Sequence, residues 1–253
     1  IGRLDPSDAD GFISVVAEAG IDPVVIHAPY LINLASPDTA KLGLSRDALV
    51  DALKRAHDLG SGPVVVHAGN QKGRGVENAI EAAVESIASV LERSPADTTI
   101  AIENGAGKGT EIGTTMSELG AMVGPFDEDR VGVLLDTAHL WGMGYDMTRR
   151  EEMDRLVTDV EEGPGLERVR AIHLNDSLAD LGSRRDQHSL WSEGNMGMKG
   201  LRTIVSDERL ASLPMIFEVP GKTLEFDRKR LASMRRRNRR YHGPKHKCPA
   251  PAP

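Results

Sequence analysis

Six short apolar runs in this chain end in, or just before, a residue able to hold a metal ion. They are DPVVIH (22–27), GPVVVH (62–67), TTIAIE (98–103), VGVLLD (131–136), VRAIHL (169–174) and LPMIFE (213–218), and the residues are His27, His67, Glu103, Asp136, His173 and Glu218. Each has an ordinary explanation when taken alone. Asp136 reads as a helix N-cap, accepting a backbone N–H at the start of a βα loop. A lone His is usually surface or core decoration, and a lone Glu near a strand end often pairs with an arginine. Six out of six is hard to obtain that way. Three imidazoles and three carboxylates meeting without a cation would crowd negative charge at high cost. Either the carboxylates hold protons or a metal is present, and metal is the stronger reading.

Two further segments enlarge the pool. His139 follows Asp136 in the loop beyond the strand, and Asp186 and His188 lie in LNDSLADLGSRRDQHSLWSEGN (174–195), a Gly/Ser-containing stretch that reads as a long loop over the site. This mixture of nitrogen and carboxylate ligands suits zinc, with manganese or iron less favoured and magnesium less still. The nine residues exceed what one tetrahedral zinc accepts; about three ions, each with about three or four protein ligands and an open position, would use them all. Clustered zinc generates hydroxide near pH ~7 and neutralises the oxygens of a phosphodiester during in-line attack, so the pattern favours phosphate ester hydrolysis.

Such residues must be brought together by the elements between them. SRDALVDALKRAHDLG (45–60) places Leu49, Leu53, Ala56 and Leu59 on one stripe, with Ser45 as the expected N-cap and Gly60 at the C-terminal end. VENAIEAAVESIASVLER (76–93) has the same period, and weaker helical patterns lie at 10–19, at 148–163 and after Gly200. Strands alternating with helices indicate a parallel sheet with right-handed crossovers. In an α/β barrel the C-terminal strand ends converge on one face, where distant ligands meet. The glycine fingerprint of a dinucleotide-binding sheet is missing after the first strand. At 253 residues one barrel domain is the better prior.

The charge is uneven. Residues 228–253 hold ten Lys or Arg and no acid, while the whole chain carries a net charge of −7. Residues 242–253 read as a basic, Pro-rich, disordered tail beyond a domain spanning 1–241. There is no stretch long and apolar enough for a transmembrane helix, and the single cysteine, Cys248, excludes an internal disulfide framework. These features suit a cytoplasmic protein with no membrane partner.

Seven motifs then carry a resemblance. HAPYLINLASP (27–37), VVVHAGN (64–70), IENGAGKGTEIG (102–113), LLDTAHLWGMGYD (134–146), HLNDSLADLGSRRDQH (173–188), EGNMG (193–197) and FEVPG (217–221) resemble, in order and spacing, the endonuclease IV family of zinc-dependent apurinic/apyrimidinic (AP) endonucleases. The resemblance implies a TIM (β/α)8 barrel and a base excision repair nuclease. It would cut the phosphodiester 5′ to an abasic site in double-stranded DNA with metal-bound hydroxide as nucleophile, leaving a 3′-hydroxyl and a 5′-deoxyribose phosphate. It implies that His27 and His67 hold one zinc, that Glu103 bridges to a second held by Asp136, His173 and Glu218, and that His139, Asp186 and His188 hold the third. Glu103 and Glu218 are the carboxylates it marks as catalytic, and Tyr30 and Leu31 correspond to the loop that enters DNA at the lesion. The family precedent is monomeric.

The sequence also departs from the family. Only about 20 residues, with one helical pattern, precede the His27 strand, where the family has two strands, a glycine-rich loop and an Arg-bearing DNA loop. The first two strands of the barrel are therefore expected to be missing, leaving six. Gln187 and Ser189 flank His188 where the family more often has Arg and a second His. Two other readings stand beside the nuclease: a metal-dependent sugar isomerase or epimerase on the same barrel, and a truncated, weakly active metal- or DNA-binding remnant.

Overall fold

A computed structural model describes residues 5–218. The helices are α1 (Pro6–Ala19), α2 (Thr39–Asp58), α3 (Val76–Leu91), α4 (Met116–Val123), α5 (Thr137–Gly142), α6 (Arg150–Glu162) and α7 (Gly197–Ser206). The strands are β1 (Ile26–His27), β2 (Val64–His67), β3 (Ile100–Glu103), β4 (Val131–Asp136), β5 (Val169–His173), β6 (Asp176–Ser177), β7 (His188–Ser189) and β8 (Met215–Ile216). Six strands form one parallel sheet in the order β1-β2-β3-β4-β5-β8, which follows the chain, and β6 and β7 form a separate antiparallel pair. This is the parallel α/β architecture expected of a barrel, and among the described residues the expected six strands are the ones that build it. The tail at 242–253 and residues 219–221 of FEVPG lie outside the described residues.

Strand alternation divides the sheet into two faces. Val64, Val66, Ile100, Ile102, Val131, Val133, Leu135 and Ile172 face the helices and join one large buried cluster with Leu49, Leu53, Ile87, Leu119 and Val157. Neighbouring helices pack side by side over that face, α2 on α3, α3 on α4, α4 on α6 and α6 on α7. The opposite face carries a small cluster of Val65, Ala101, Leu134 and Ala171, with Val25 and Ile216 against it. Each of these six residues stands two positions before a strand-end candidate ligand. With a side-chain period of 2, the ligand and the apolar residue beneath it point the same way. The inner face thus consists of an apolar floor with the six candidate ligands above it.

One irregularity preserves this order. The β4–β5 register shifts between Val133 and Leu134: Val133 faces Val169, but Leu134 faces Ala171. The extra residue, Arg170, is a bulge. It sends Val169 to the helix face and Ala171 to the inner face, although the two differ by an even number of positions. It also sets Asp136 opposite His173. Gly132 leaves the needed room, since a Cβ there would lie 2.7 Å from Arg170 Nε.

The helices differ from expectation in two ways. Helix α2 begins at Thr39, with the Asp38 carboxylate capping Lys41 N–H, so Ser45 is not a cap. Ser45 is buried inside the helix, and its Oγ accepts from Asn33 N–H. Gly60 does end α2, with φ +56 in the left-handed region. Helices α4 and α5 add to the expected elements; α5 turns the expected loop around His139 into a buried helical turn.

Leu134 is fully buried in the floor beneath Asp136. Leu134→Ala is expected to cost about 2–5 kcal/mol of unfolding free energy, measured by urea denaturation of the metal-free protein. A change below ~0.5 kcal/mol, the size of an ordinary surface substitution, would show that the floor does not support the sheet.

Candidate metal centre

Glu103 lies at the middle of the ligand set and is fully buried. Its Oε2 stands 3.1 Å from His27 Nε2 and 3.5 Å from His67 Nδ1, while Oε1 stands 3.0 Å from His173 Nδ1 and 3.8 Å from His139 Nδ1. One carboxylate therefore faces two groups of imidazoles, one with each oxygen. Glu218, from beyond β8, brings Oε2 to 3.2 Å from His173 Nδ1 and Oε1 to 3.9 Å from His27 Nε2.

Asp136 does two things at once. Its Oδ1 accepts the His139 backbone N–H at 2.9 Å and caps α5. Its Oδ2 accepts from Asn175 Nδ2 at 2.5 Å and lies 3.8 Å from His173 Nδ1 and 3.5 Å from His188 Nε2. The cap and the ligand readings of this residue are compatible, because each uses a different oxygen.

The second imidazole pair stands on α5 and β7. His139 Nε2 and His188 Nε2 lie 3.3 Å and 3.2 Å from Asp186 Oδ1. Both nitrogens are buried and lack a hydrogen-bond partner among the described residues. The segment carrying Asp186 and His188 is not one long loop: β6 and β7 pair within it, with Ser177 opposite His188.

Three histidines share one mode of anchoring. The Nδ1–H groups of His27, His139 and His188 donate to the carbonyl oxygens of Ala28 (2.8 Å), Asn104 (2.8 Å) and Glu218 (3.0 Å). A carbonyl oxygen only accepts, so Nδ1 must carry the proton and Nε2 is the atom presented to the cluster. Such backbone bonds are how ligating histidines are oriented.

Asn104 and Asn175 complete the scaffold, and sequence reasoning passed over both. Asn104 Oδ1 accepts Asp136 N–H at 2.7 Å, and its carbonyl holds His139. Asn175 donates to Asp136 Oδ2 and accepts Glu218 N–H at 2.9 Å. Their only signal was position, each following a ligand closely in IEN and HLN.

The electrostatics fit a cation site. Burial alone would raise the Glu103 pKa, but hydrogen bonds from His173 and His27 outweigh it and hold the carboxyl well below its usual range. Burial would likewise lower His173, yet Glu103 and Glu218 push it up to about 10. His27 and His139 are raised against the same burial, His27 chiefly by Glu103 and His139 chiefly by Asp136. His67 goes the other way, lowered by burial. Without metal, protons on imidazoles balance the carboxylates; cations can replace those protons. The ligand atoms of His27, His67 and Glu103 lie within 4.8 Å of one another, as do those of Asp136, His139 and His188, and those of Glu103, Asp136, His173 and Glu218. These three groupings fit metal ions, with Asp136 in two of them and Asp186 Oδ1 beside His139 Nε2 and His188 Nε2.

Tyr30 and Leu31 follow β1 at the edge of this cluster. They are 65% and 91% exposed, and the Tyr30 ring meets the His67 ring edge-on with centroids 5.1 Å apart. A cavity beside them is lined by Tyr30, His67, Asn70 and Glu111 among others.

Known proteins resemble this chain in sequence and fold. The family described as xylose isomerase-like TIM barrel matches residues 2–238. A probable endonuclease 4 from Methanoculleus marisnigri is 36% identical over 234 residues, covering 92% of this chain and 83% of its own. Another from Halorhodospira halophila is 37% identical over 221 residues, covering 86% and 74%. The solved endonuclease IV of Thermus thermophilus superposes with a TM-score of 0.80 at 33% identity, over 93% of this chain and 82% of that one. A D-tagatose 3-epimerase-like protein superposes at 0.70 with 18% identity, over 92% and 82%, which reflects the fold alone. On these matches of sequence and fold, the chain belongs to the endonuclease IV family and has the xylose isomerase-like TIM-barrel fold.

Proposed function

We propose that this protein is a zinc-dependent AP endonuclease of DNA repair. It would hydrolyse the phosphodiester 5′ to abasic sites in double-stranded DNA and leave a 3′-hydroxyl and a 5′-deoxyribose phosphate. The reading includes a monomeric, cytoplasmic enzyme whose residues 1–241 act as one domain. The observation that carries it is the pair of buried nitrogens, His139 Nε2 and His188 Nε2, which converge on Asp186 Oδ1 at 3.3 and 3.2 Å beside the six strand-end candidate ligands. Curated relatives named probable endonuclease 4 and the endonuclease IV structure support it. A sugar isomerase or epimerase on this fold typically needs only about one or two ions, so the added His139, Asp186 and His188 favour the nuclease.

When bound, about three zinc ions would supply Lewis acidity and a water ionised near neutral pH. The chain does the rest. His27 and His67 with Glu103, then Glu103, Asp136, His173 and Glu218, then His139, Asp186 and His188 would hold the three ions. Asn104 and Asn175 keep Asp136 fixed through both its backbone and its side chain. Glu103 is sealed from solvent, whereas the Glu218 side chain is 42% exposed. Glu218 can therefore ligate through one oxygen and take a proton from an entering water at the other. Tyr30 and Leu31 would wedge into the base stack at the lesion, where an abasic nucleotide is easier to extrude than a paired one.

The direct test is a duplex with one tetrahydrofuran abasic analogue. Nicking 5′ to the analogue, abolished by a chelator and restored by zinc, is expected; no cut from a folded, zinc-supplemented sample would sink the proposal. Asp136→Ala and His139→Ala should each lose about one zinc, bound to different ligand sets, by metal analysis of the purified variants. Loss of two ions from Asp136→Ala alone would instead make Asp136 a bridging ligand. The pH dependence has a defined sign. His173 binds its proton more tightly folded, at about 10, than at the ordinary value of 6.5. The stability this gives the metal-free protein is present below ~6.5 and is lost as pH rises towards ~10. Zinc must displace that proton, so affinity should tighten with pH across the same window. Calorimetry in buffers of different ionisation enthalpy should show proton release at pH ~7, and no release would contradict the charge assignment.

A further inference from the structure

The loop after β1 exposes Tyr30 and Leu31, yet the chain is buried one residue later. Ile32, Leu34, Ala35 and Ser36 are each no more than 5% exposed. Asn33 lies among them, and its side-chain amide pairs with a neighbouring loop as a strand would. Nδ2 donates to Asn70 O at 3.0 Å, and Oδ1 accepts Asn70 N–H at 3.0 Å. Both main-chain groups of Asn70 are thus held by one side chain, and their chemistry fixes which end of the amide is oxygen. Oδ1 also accepts Ala35 N–H at 3.1 Å, while Asn33 N–H donates to Ser45 Oγ at 3.1 Å.

Asn70 passes the connection on. Its other edge forms an antiparallel bridge with Glu111, in which Gln71 N–H donates to Thr110 O at 2.9 Å and Ile112 N–H to Gly69 O at 3.0 Å. The loops after β1, β2 and β3 therefore form one hydrogen-bonded unit, with the Asn33 amide as its first member. That unit frames the cavity lined by Tyr30, His67, Asn70 and Glu111. Gly69 leaves room for the clamp: its φ is +105, and a Cβ there would run into Asn33 Oδ1. A loop that enters a base stack gains from such anchoring. A mobile loop must be ordered as it binds, and that ordering subtracts from affinity.

Resting on the endonuclease reading above, we propose that Asn33 is a positioning residue that acts through Tyr30 and Leu31. Its amide locks their loop to the loop after β2, so that the two exposed side chains meet the lesion already in place. Asn33 itself touches neither the reacting atoms nor the duplex.

The test uses the zinc-loaded full chain. Hydrogen exchange at the Ala35 and Asn70 amides should quicken about tenfold in N33A. N33D keeps the accepting oxygen but loses the donor, and should fall between N33A and the wild type. If N33A does not fold, N33D serves in every comparison. On a duplex with one tetrahydrofuran site, N33A should raise KM about tenfold with kcat within about twofold. Zinc content and turnover of bis(4-nitrophenyl) phosphate should stay at the wild-type level. In a Y30A/L31A background, N33A should change KM by less than about twofold, because the clamp then has nothing to hold in place. Unchanged exchange in both variants overturns the clamp itself. An unchanged KM, an equal rise in both backgrounds, or a parallel loss of small-diester turnover overturns its action through Tyr30 and Leu31. A wild-type chain that fails to nick the duplex overturns the endonuclease reading and the DNA role with it. A wild type that nicks beside an unaffected N33A overturns this inference alone.

Discussion

The inner face of the parallel sheet is the constraint on which the rest of the structure depends. Parallel strands fix a common direction, and a side-chain period of 2 fixes which residues share a face. Once Val25, Val65, Ala101, Leu134, Ala171 and Ile216 form the apolar floor, the residues two positions later must stand above it. Those residues are His27, His67, Glu103, Asp136, His173 and Glu218. A one-residue slip would send a ligand to the helix face and an aliphatic side chain into the centre. The bulge at Arg170 prevents that slip on β5, and Gly132 on β4 gives it space.

Charge is managed by the same geometry. Glu103 is buried, and its ionised form survives because imidazoles approach both oxygens. The backbone supplies the complementary part: carbonyls of Ala28, Asn104 and Glu218 each take an imidazole Nδ1–H, so three rings turn Nε2 towards the carboxylates. Two of these nitrogens, on His139 and His188, instead converge on Asp186 Oδ1 at 3.3 and 3.2 Å. A cation between such groups would take the place of the imidazole protons that balance the carboxylates without metal.

Much of this was legible in the sequence. Apolar runs of four to six residues ending in His, Asp or Glu marked both the strands and the residues that cluster above the sheet, because strand ends and sheet faces follow directly from patterning. What lay outside that pattern was harder to read. Helix α5 is six residues long, too short to show a helical period, so His139 looked like a loop residue. Asp136 looked like either a cap or a ligand, since sequence does not say that its two oxygens part company. Asn104 and Asn175 act through hydrogen bonds to residues 32 and 39 positions away, a relation no local signal carries. The start of α2 was missed because Gly43 interrupts its first turns and Asp38, not Ser45, provides the cap.

The central claim is that nine residues from separate elements present their ligand atoms to one cluster of cations. Anomalous scattering at the zinc edge from crystals of the zinc-loaded protein tests it most directly. About three peaks are expected, flanked by Glu103 and lying within ligand distance of His27, His67, Asp136, His139, His173, Asp186, His188 and Glu218. A single peak, or peaks that leave His139 Nε2 and His188 Nε2 without a metal neighbour, would contradict it.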